Sequence, residues 1–137
     1  MHRGTMHNPE VRYRQDSVES VDDGWFSEDI QPSPATQIII DNSRSIISRN
    51  KSPDIPFSQS INPYRGCEHG CIYCFARPSH AYLDMSPGLD FETRILAKPA
   101  AAKLLRAELA KKNYACSTMA LGSNTDPYQQ AEIELGI

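Results

Sequence analysis

Three cysteines stand within eight positions of this 137-residue chain, in the segment Gly66-Cys67-Glu68-His69-Gly70-Cys71-Ile72-Tyr73-Cys74. The fourth, Cys116, stands alone. Cysteines that staple a secreted scaffold are spread along a chain, whereas clustered ones in a cytosolic protein bind metal or do redox chemistry. The spacing C-x3-C-x2-C puts three thiolates on one short loop. Iron–sulfur cubanes are usually held by four thiolates. Three can hold three corners and leave one iron open to an external ligand. Gly66 and Gly70 let such a loop wrap closely and present backbone N–H groups to the sulfurs. Structural zinc is the other chemistry open to this loop. A closed zinc site needs four ligands and favours C-x2-C pairs, so Cys116 or His69 would have to complete it, and no second C-x2-C pair is present.

Charged residues surround the loop. Arg65 and Arg77 flank it and can meet an anion or tune a cluster by charge; surface or structural pairing is the simpler role for each. Lys98, just before a helix, can also face an anion. His69 and His80 read as loop residues, His69 with a hydrogen-bonding role near the thiolates, and Glu92 and Arg94 as ordinary charges ahead of the helix.

The elements that must carry this loop are short. Ile38-Ile39-Ile40 and Ile46-Ile47 predict one or two strands flanking a turn within Thr36–Ile47. Phe57–Tyr64 reads as a strand running straight into the cysteine loop, with Pro63 better suited to its end than its centre. The clearest helix is Pro99–Asn113. Proline fits its start, Ala101, Leu104, Leu105 and Leu109 form an apolar stripe, and Lys111 and Lys112 favour the C-terminal end of the helix dipole. A second strand is predicted over Tyr114–Gly122, with Ser123-Asn124-Thr125 as its exit loop. Asp126-Pro127 then signals the start of a helix over Gln129–Ile137. Strand, ligand loop, helix, strand, loop and helix start make the opening of a parallel α/β architecture. Two parallel strands alone cannot cover both faces of a sheet, so the chain is expected to be a fragment of a larger protein.

Residues 1–35 read as a disordered or loosely attached acidic leader, with Trp25-Phe26 as an isolated aromatic anchor and Gln31-Pro32-Ser33-Pro34 as its close. They carry seven acidic and three basic side chains, against eleven basic and seven acidic in residues 36–112. The body is therefore mildly basic although the net charge is −3. That is a weak pointer to nucleic acid, and a solvated mixed-charge surface is the simpler reading. No apolar run approaches the roughly 20 residues of a membrane span, and no secretory signal is visible. A cytoplasmic location without membrane contact is expected.

C-x3-C-x2-C with an aromatic residue just before the third cysteine resembles the signature loop of the radical S-adenosylmethionine (SAM) superfamily. The resemblance implies the N-terminal portion of a partial (β/α)6 barrel, with residues 36–137 as an incomplete core domain. It implies a [4Fe–4S] cluster ligated by Cys67, Cys71 and Cys74, which favours iron–sulfur over zinc. It further implies that SAM chelates the open iron and is cleaved by an electron from the cluster to methionine and a 5′-deoxyadenosyl radical. That radical abstracts a hydrogen atom from a substrate. A flavodoxin- or ferredoxin-like electron donor is implied as partner. Tyr73 occupies the family's aromatic position near the adenine. Where the family usually has a Gly-Gly-Glu-like segment for the SAM amino group, this chain has Gly122-Ser123-Asn124-Thr125-Asp126. The side chains of Ser123, Asn124, Thr125 and Asp126 can accept hydrogen bonds from an ammonium group; for Asp126, helix capping is an equal alternative.

The wider wording, Asn62-Pro63-Tyr64-Arg65-Gly66-Cys67 through Cys74-Phe75-Ala76-Arg77 and then Ser123 to Gln129, is similar to uncharacterised bacterial radical SAM proteins grouped near spore photoproduct lyase. One departure matters. The lyase pattern has a hydrogen-donating cysteine three positions before the aspartate, and here that position is Ser123. A serine O–H bond is too strong for that role, so lyase activity of the ordinary kind is not expected. Weak or no activity is expected of the chain by itself. Two alternatives predict no effect of SAM on a bound metal or no function at all: a non-catalytic Fe–S or zinc-binding module, and an inactive truncated remnant.

Overall fold

A computed structural model describes residues 3–13 and 34–137. Residues 14–33, including Trp25 and Phe26, lie outside the described residues. The described chain is mixed α/β. Its strands are β1 (Gln37–Ile40), β2 (Ile47–Arg49), β3 (Gln59–Ile61), β4 (Tyr64–Arg65), β5 (Arg94–Ala97) and β6 (Met119–Leu121). Its α-helices are α1 (Leu89–Thr93), α2 (Ala101–Leu109) and α3 (Gln130–Leu135), and a 3₁₀ helix covers Arg77–Leu83.

The strands form two three-stranded sheets, and no closed barrel forms among the described residues. In the first sheet β5 is central, parallel to β1 and antiparallel to β4. In the second β3 is central, antiparallel to β2 and parallel to β6. The β-branched run Ile38-Ile39-Ile40 forms β1, as its pleat-fitting side chains dictate. The strand expected over Phe57–Tyr64 divides in two at Asn62-Pro63. Proline has no N–H to give a ladder, and its carbonyl instead accepts the Lys98 amide at 3.0 Å. The break sends β3 to one sheet and β4 to the other, so the strand entering the cysteine loop is only Tyr64–Arg65. The strand expected over Tyr114–Gly122 is confined to Met119–Leu121, which leaves Cys116 exposed in the preceding loop.

Each sheet has its own apolar cluster. Tyr64, Ile95, Ala97 and Ala131 are buried together, with Ile38 and Leu135 against them. Ile46, Ile47 and Ala101 form the second cluster, flanked by Leu104, Leu105 and Met119. Helix α2 thus buries Ala101 and packs the half-buried Leu104 and Leu105 against the cluster, as its stripe predicts. The next position on that face is Glu108 rather than Leu109. Glu108 is buried, and its Oε1 accepts the Ile46 and Ile47 amides at 2.7 and 3.3 Å, while Leu109 is exposed. A carboxylate that closes the unpaired end of β2 replaces a leucine in the core.

Residues 3–13, expected to belong to a loose leader, lie against the body. Arg3 donates to the Glu92 carbonyl at 2.7 Å and to Thr36 Oγ1 at 2.9 Å, and Asn8 pairs with Asp90 through side chain and backbone. Val11 is buried, and Tyr13 stacks on Tyr82 with ring centroids 5.7 Å apart. The segment has little apolar content, but it adds polar partners for Glu92 and Asp90.

Candidate metal and cofactor site

The cysteine loop leaves β4 through Gly66, at φ +86°, and turns again at Gly70, at φ +66°. A side chain at Gly66 would press on the Phe91 carbonyl at 2.9 Å, and one at Gly70 on the Gly4 amide nitrogen at 2.8 Å and Glu92 Oε2 at 3.1 Å. Both positions combine a left-handed backbone with a close approach, so glycine is required at each. The Cys67 amide donates to the Phe91 carbonyl at 2.9 Å, fastening the loop's start to α1. The Cys74 amide donates to the Cys71 carbonyl at 3.2 Å, and the 3₁₀ helix begins three residues after Cys74.

Two buried polar groups hold the loop from behind. Arg77 Nε donates to the Cys71 carbonyl at 2.8 Å, its Nη1 to the Pro87 and Gly88 carbonyls at 3.1 Å each, and its Nη2 pairs with Glu92. Glu92 is fully buried and also accepts from the Gly4 amide at 2.8 Å and Thr5 Oγ1 at 3.0 Å. The Arg77 guanidinium lies 5.3 Å from the Phe91 ring centre, where a cation is attracted to the aromatic face. On the other side the Glu68 amide donates to Gln129 Oε1 at 3.1 Å, and the Glu68 carboxylate accepts from Thr36 Oγ1 and from the Ala131 amide, both at 2.8 Å. Glu68 therefore satisfies an N-terminal amide of α3 and ties that helix to the loop. The sequence context marks none of Glu68, Gln129 or Glu92 as part of a site, because their partners lie far away in the chain, as Ala131 does from Glu68. His80, read as a loop residue, is fully buried. Its Nε2 lies 3.1 Å from the Arg94 carbonyl, and its ring packs edge-on against Phe91.

In front of the loop lies an open cleft of about 290 Å³, lined by Cys67, Cys74 and Gly122 to Pro127. The structure thus brings together two of the three cysteines and all four polar residues of the β6 exit loop, Ser123, Asn124, Thr125 and Asp126. The walls are cross-linked: His69 Nε2 lies 3.0 Å from Asp126 Oδ2. Asp126 also accepts the Tyr128 amide on Oδ1 at 2.8 Å. It builds a turn ahead of α3 instead of capping it, the N-cap position falling to Gln129. Thr125 is pinned by its hydroxyl to the Tyr64 carbonyl at 2.9 Å, and the Asn124 amide donates to Asn62 Oδ1 at 2.9 Å.

Burial pushes the Cys67 thiol up from its ordinary pKa. The backbone amides of His69 and Asp126, directed at its sulfur, act the other way, and the negative charges of Asp126 and Cys74 add to the rise. Four cysteines are free thiols, with Cys71 exposed and Cys67 and Cys74 half-buried. Among the described residues no group of three or more His, Cys, Asp or Glu side chains is gathered closely enough to hold a metal ion. The donor chemistry of three free thiols on a glycine-hinged loop fits an iron–sulfur cluster, and cluster assembly would have to draw in Cys71. Tyr73 is 86% exposed and lies outside the lining of the cleft. No helix among the described residues is long and apolar enough to cross a membrane.

The chain is 52% identical over 86 residues to uncharacterized proteins of Mycobacterium bovis and of Mycobacterium tuberculosis. The aligned part covers 61% of this chain and 25% of each relative, so the chain spans about a quarter of the length of the curated relatives it matches. It matches no established family profile and no solved structure.

Proposed function

We propose that the chain carries the cluster- and SAM-binding segment of a radical SAM enzyme, with Cys67, Cys71 and Cys74 as the ligands of a [4Fe–4S] cluster. One observation supports the reading above the rest. Cys67 and Cys74 line the same cleft as Ser123, Asn124, Thr125 and Asp126, although 49 positions separate Cys74 from Ser123 (123 − 74). Two segments distant in sequence, to which the resemblance gives the cluster and the SAM amino group, meet at one place. A [4Fe–4S] cluster held there by Cys67, Cys71 and Cys74 would supply one-electron reducing chemistry.

The chain's own residues have distinct tasks in this reading. Gly66 and Gly70 let the loop fold back without steric cost, with Cys67 and Cys74 on the cleft wall. Arg77 holds the Cys71 carbonyl, and Gln129 holds the Glu68 amide, so the loop backbone keeps its path while the side chains adjust. The amides of His69 and Asp126 stabilise negative charge on the Cys67 sulfur. The Ser123 and Thr125 hydroxyl oxygens, the Asn124 carbonyl oxygen and the Asp126 carboxylate supply acceptors for an ammonium group. His69 shares Asp126, so an ammonium ligand competes with that imidazole. The substrate, the hydrogen abstraction and the flavodoxin- or ferredoxin-like donor belong to the same proposal.

The test is anaerobic reconstitution of the chain with iron and sulfide, followed by EPR of the reduced sample with and without SAM. A cubane signal that changes when SAM is added is the expected result. A signal unaffected by SAM, in this chain and in one extended to the full length of its relatives, would overturn the reading in favour of a non-catalytic metal module. Alanine at Cys67, Cys71 or Cys74 is expected to abolish the cubane signal, and alanine at Cys116 to leave it.

A further inference from the structure

A second pocket, of about 260 Å³, opens where the loop after β1, the β3–β4 junction and the end of β5 meet. It adjoins the cysteine cleft, since Asn124 and Thr125 line both. Its lining carries two cations, Arg65 and Lys98, and the hydroxyls of Ser45, Ser48 and Ser79, but no carboxylate. Asp41 stands behind the cations. Its Oδ2 lies 3.3 Å from Lys98 Nζ and 3.8 Å from Arg65 Nε, and is buried without a hydrogen-bond partner among the described residues. One carboxylate balances one of the two cations. A single positive charge is left over at the pocket wall, in a chain whose net charge is −3.

The two cations are held differently. Lys98 is buried and also donates to the Asn62 carbonyl at 3.2 Å, so its position is fixed. Arg65 has a side chain 45% exposed, and its 3.8 Å approach to Asp41 is beyond hydrogen-bond reach. Its planar guanidinium therefore keeps donors for a ligand, in the fork geometry that matches carboxylate and phosphate oxygens. Burial pushes the Lys98 ammonium down from the ordinary lysine range, with Asp41 opposing that shift and Arg65 adding to it. An arriving anion relieves the same penalty.

We infer that this pocket binds an oxyanion, the phosphate or carboxylate group of a small polar molecule, held by Arg65, Lys98 and the serine hydroxyls. The site stands on these residues alone and does not depend on the cysteine loop carrying a cluster.

The test uses the 137-residue chain without metal, titrated with inorganic phosphate, malonate or chloride at constant ionic strength and followed by amide chemical shifts. Saturable shifts at Arg65, Lys98 and the segment Ser43–Ser48 with phosphate or malonate, but not with chloride, are expected. Phosphate alone identifies a phosphorylated ligand, malonate alone a carboxylate, and both the shared chemistry. Arg65→Gln, at a half-exposed position the fold tolerates, is expected to weaken binding about tenfold or more, the effect of a lost hydrogen bond to a charged group. Replacing Cys67, Cys71 and Cys74 with alanine is expected to leave the affinity unchanged, which separates this site from the cluster reading. No saturable shift with either anion, or equal binding by the Arg65→Gln chain, overturns the inference.

Discussion

The two sides of the cysteine loop are built on opposite principles. Behind it Arg77 and Glu92, and beside it Glu68 and Gln129, are buried and bonded to backbone. In front, Cys67 and Cys74 face an open cleft, Cys71 lies outside its lining, and the loop's Ile72, Tyr73 and Phe75 are largely exposed. A buried charge is tolerated only when paired and hydrogen-bonded, so the back of the loop is an all-or-none network. The front has no buried charge pair, and its one charged contact, His69 to Asp126, is partly exposed. The difference teaches that the loop's backbone path is specified by the fold, while the arrangement of its thiolates is specified by what binds them.

Removing one member of the rear network is the strongest way to break this contrast. Glu92→Ala leaves the Arg77 guanidinium without its counter-charge and the Gly4 amide and the Thr5 hydroxyl without their acceptor. It is expected to destabilise the chain by about 3–5 kcal/mol, as for other buried pairs stripped of one partner. Urea unfolding measures it. Arg77→Ala is expected to cost a similar amount and the double variant less than the sum, because the two residues share one network.

Gly70→Ala tests the loop's turn. A left-handed φ of +66° and a Cβ 2.8 Å from the Gly4 nitrogen together predict a loss of about 1–3 kcal/mol, in the range for strained backbone. Thermal denaturation against the parent chain checks it, and a neutral result would mean that residues 3–13 detach without cost.

His80 gives a smaller, pH-dependent effect. Burial holds its pKa below the ordinary 6.5, with the Arg94 carbonyl opposing that shift. The unfolded chain therefore takes up the proton first as pH falls. The stability contribution is complete above about 6.5 and is lost as pH falls through that value toward the folded-state pKa. His80→Gln is expected to flatten the slope of stability between about pH 7 and pH 5, by less than one proton's worth. Asp41, held low by Ser43, Lys98 and Arg65 against the opposing effect of its burial, adds a slope of the same sign below 3.8.

Tyr73→Ala should do least to the fold, within about 0.5 kcal/mol, because the ring is exposed. It sharpens the comparison from the functional side. If Tyr73 meets SAM, the variant keeps the cubane EPR signal and loses part of its response to SAM.

Local patterns in the chain were sufficient for the cysteine spacing, the two glycine turns, the β-branched strand β1 and the first turns of the α2 apolar face, but not for its end, where Glu108 is buried and Leu109 exposed. Each depends on residues a few positions apart, where periodicity and steric preference act directly. The β6 exit loop was also marked as a partner of the cysteines, on resemblance. Strand β5 was not legible, because Arg94-Ile95-Leu96-Ala97 follows Glu92 and precedes Pro99 in what reads as a run-in to a helix. Only pairing with β1 and β4 makes it a central strand. The split at Pro63, the docking of residues 3–13 and the burial of Glu68, Arg77, His80, Glu92, Lys98 and Glu108 were decided by tertiary structure. The physical reason is common to all of these. A charged or polar side chain goes inside only if distant segments deliver its partners, and those partners lie up to 88 positions away, as Gly4 does from Glu92. Composition and spacing determined which residues can do chemistry, and long-range hydrogen bonding determined which of them are held in place to do it.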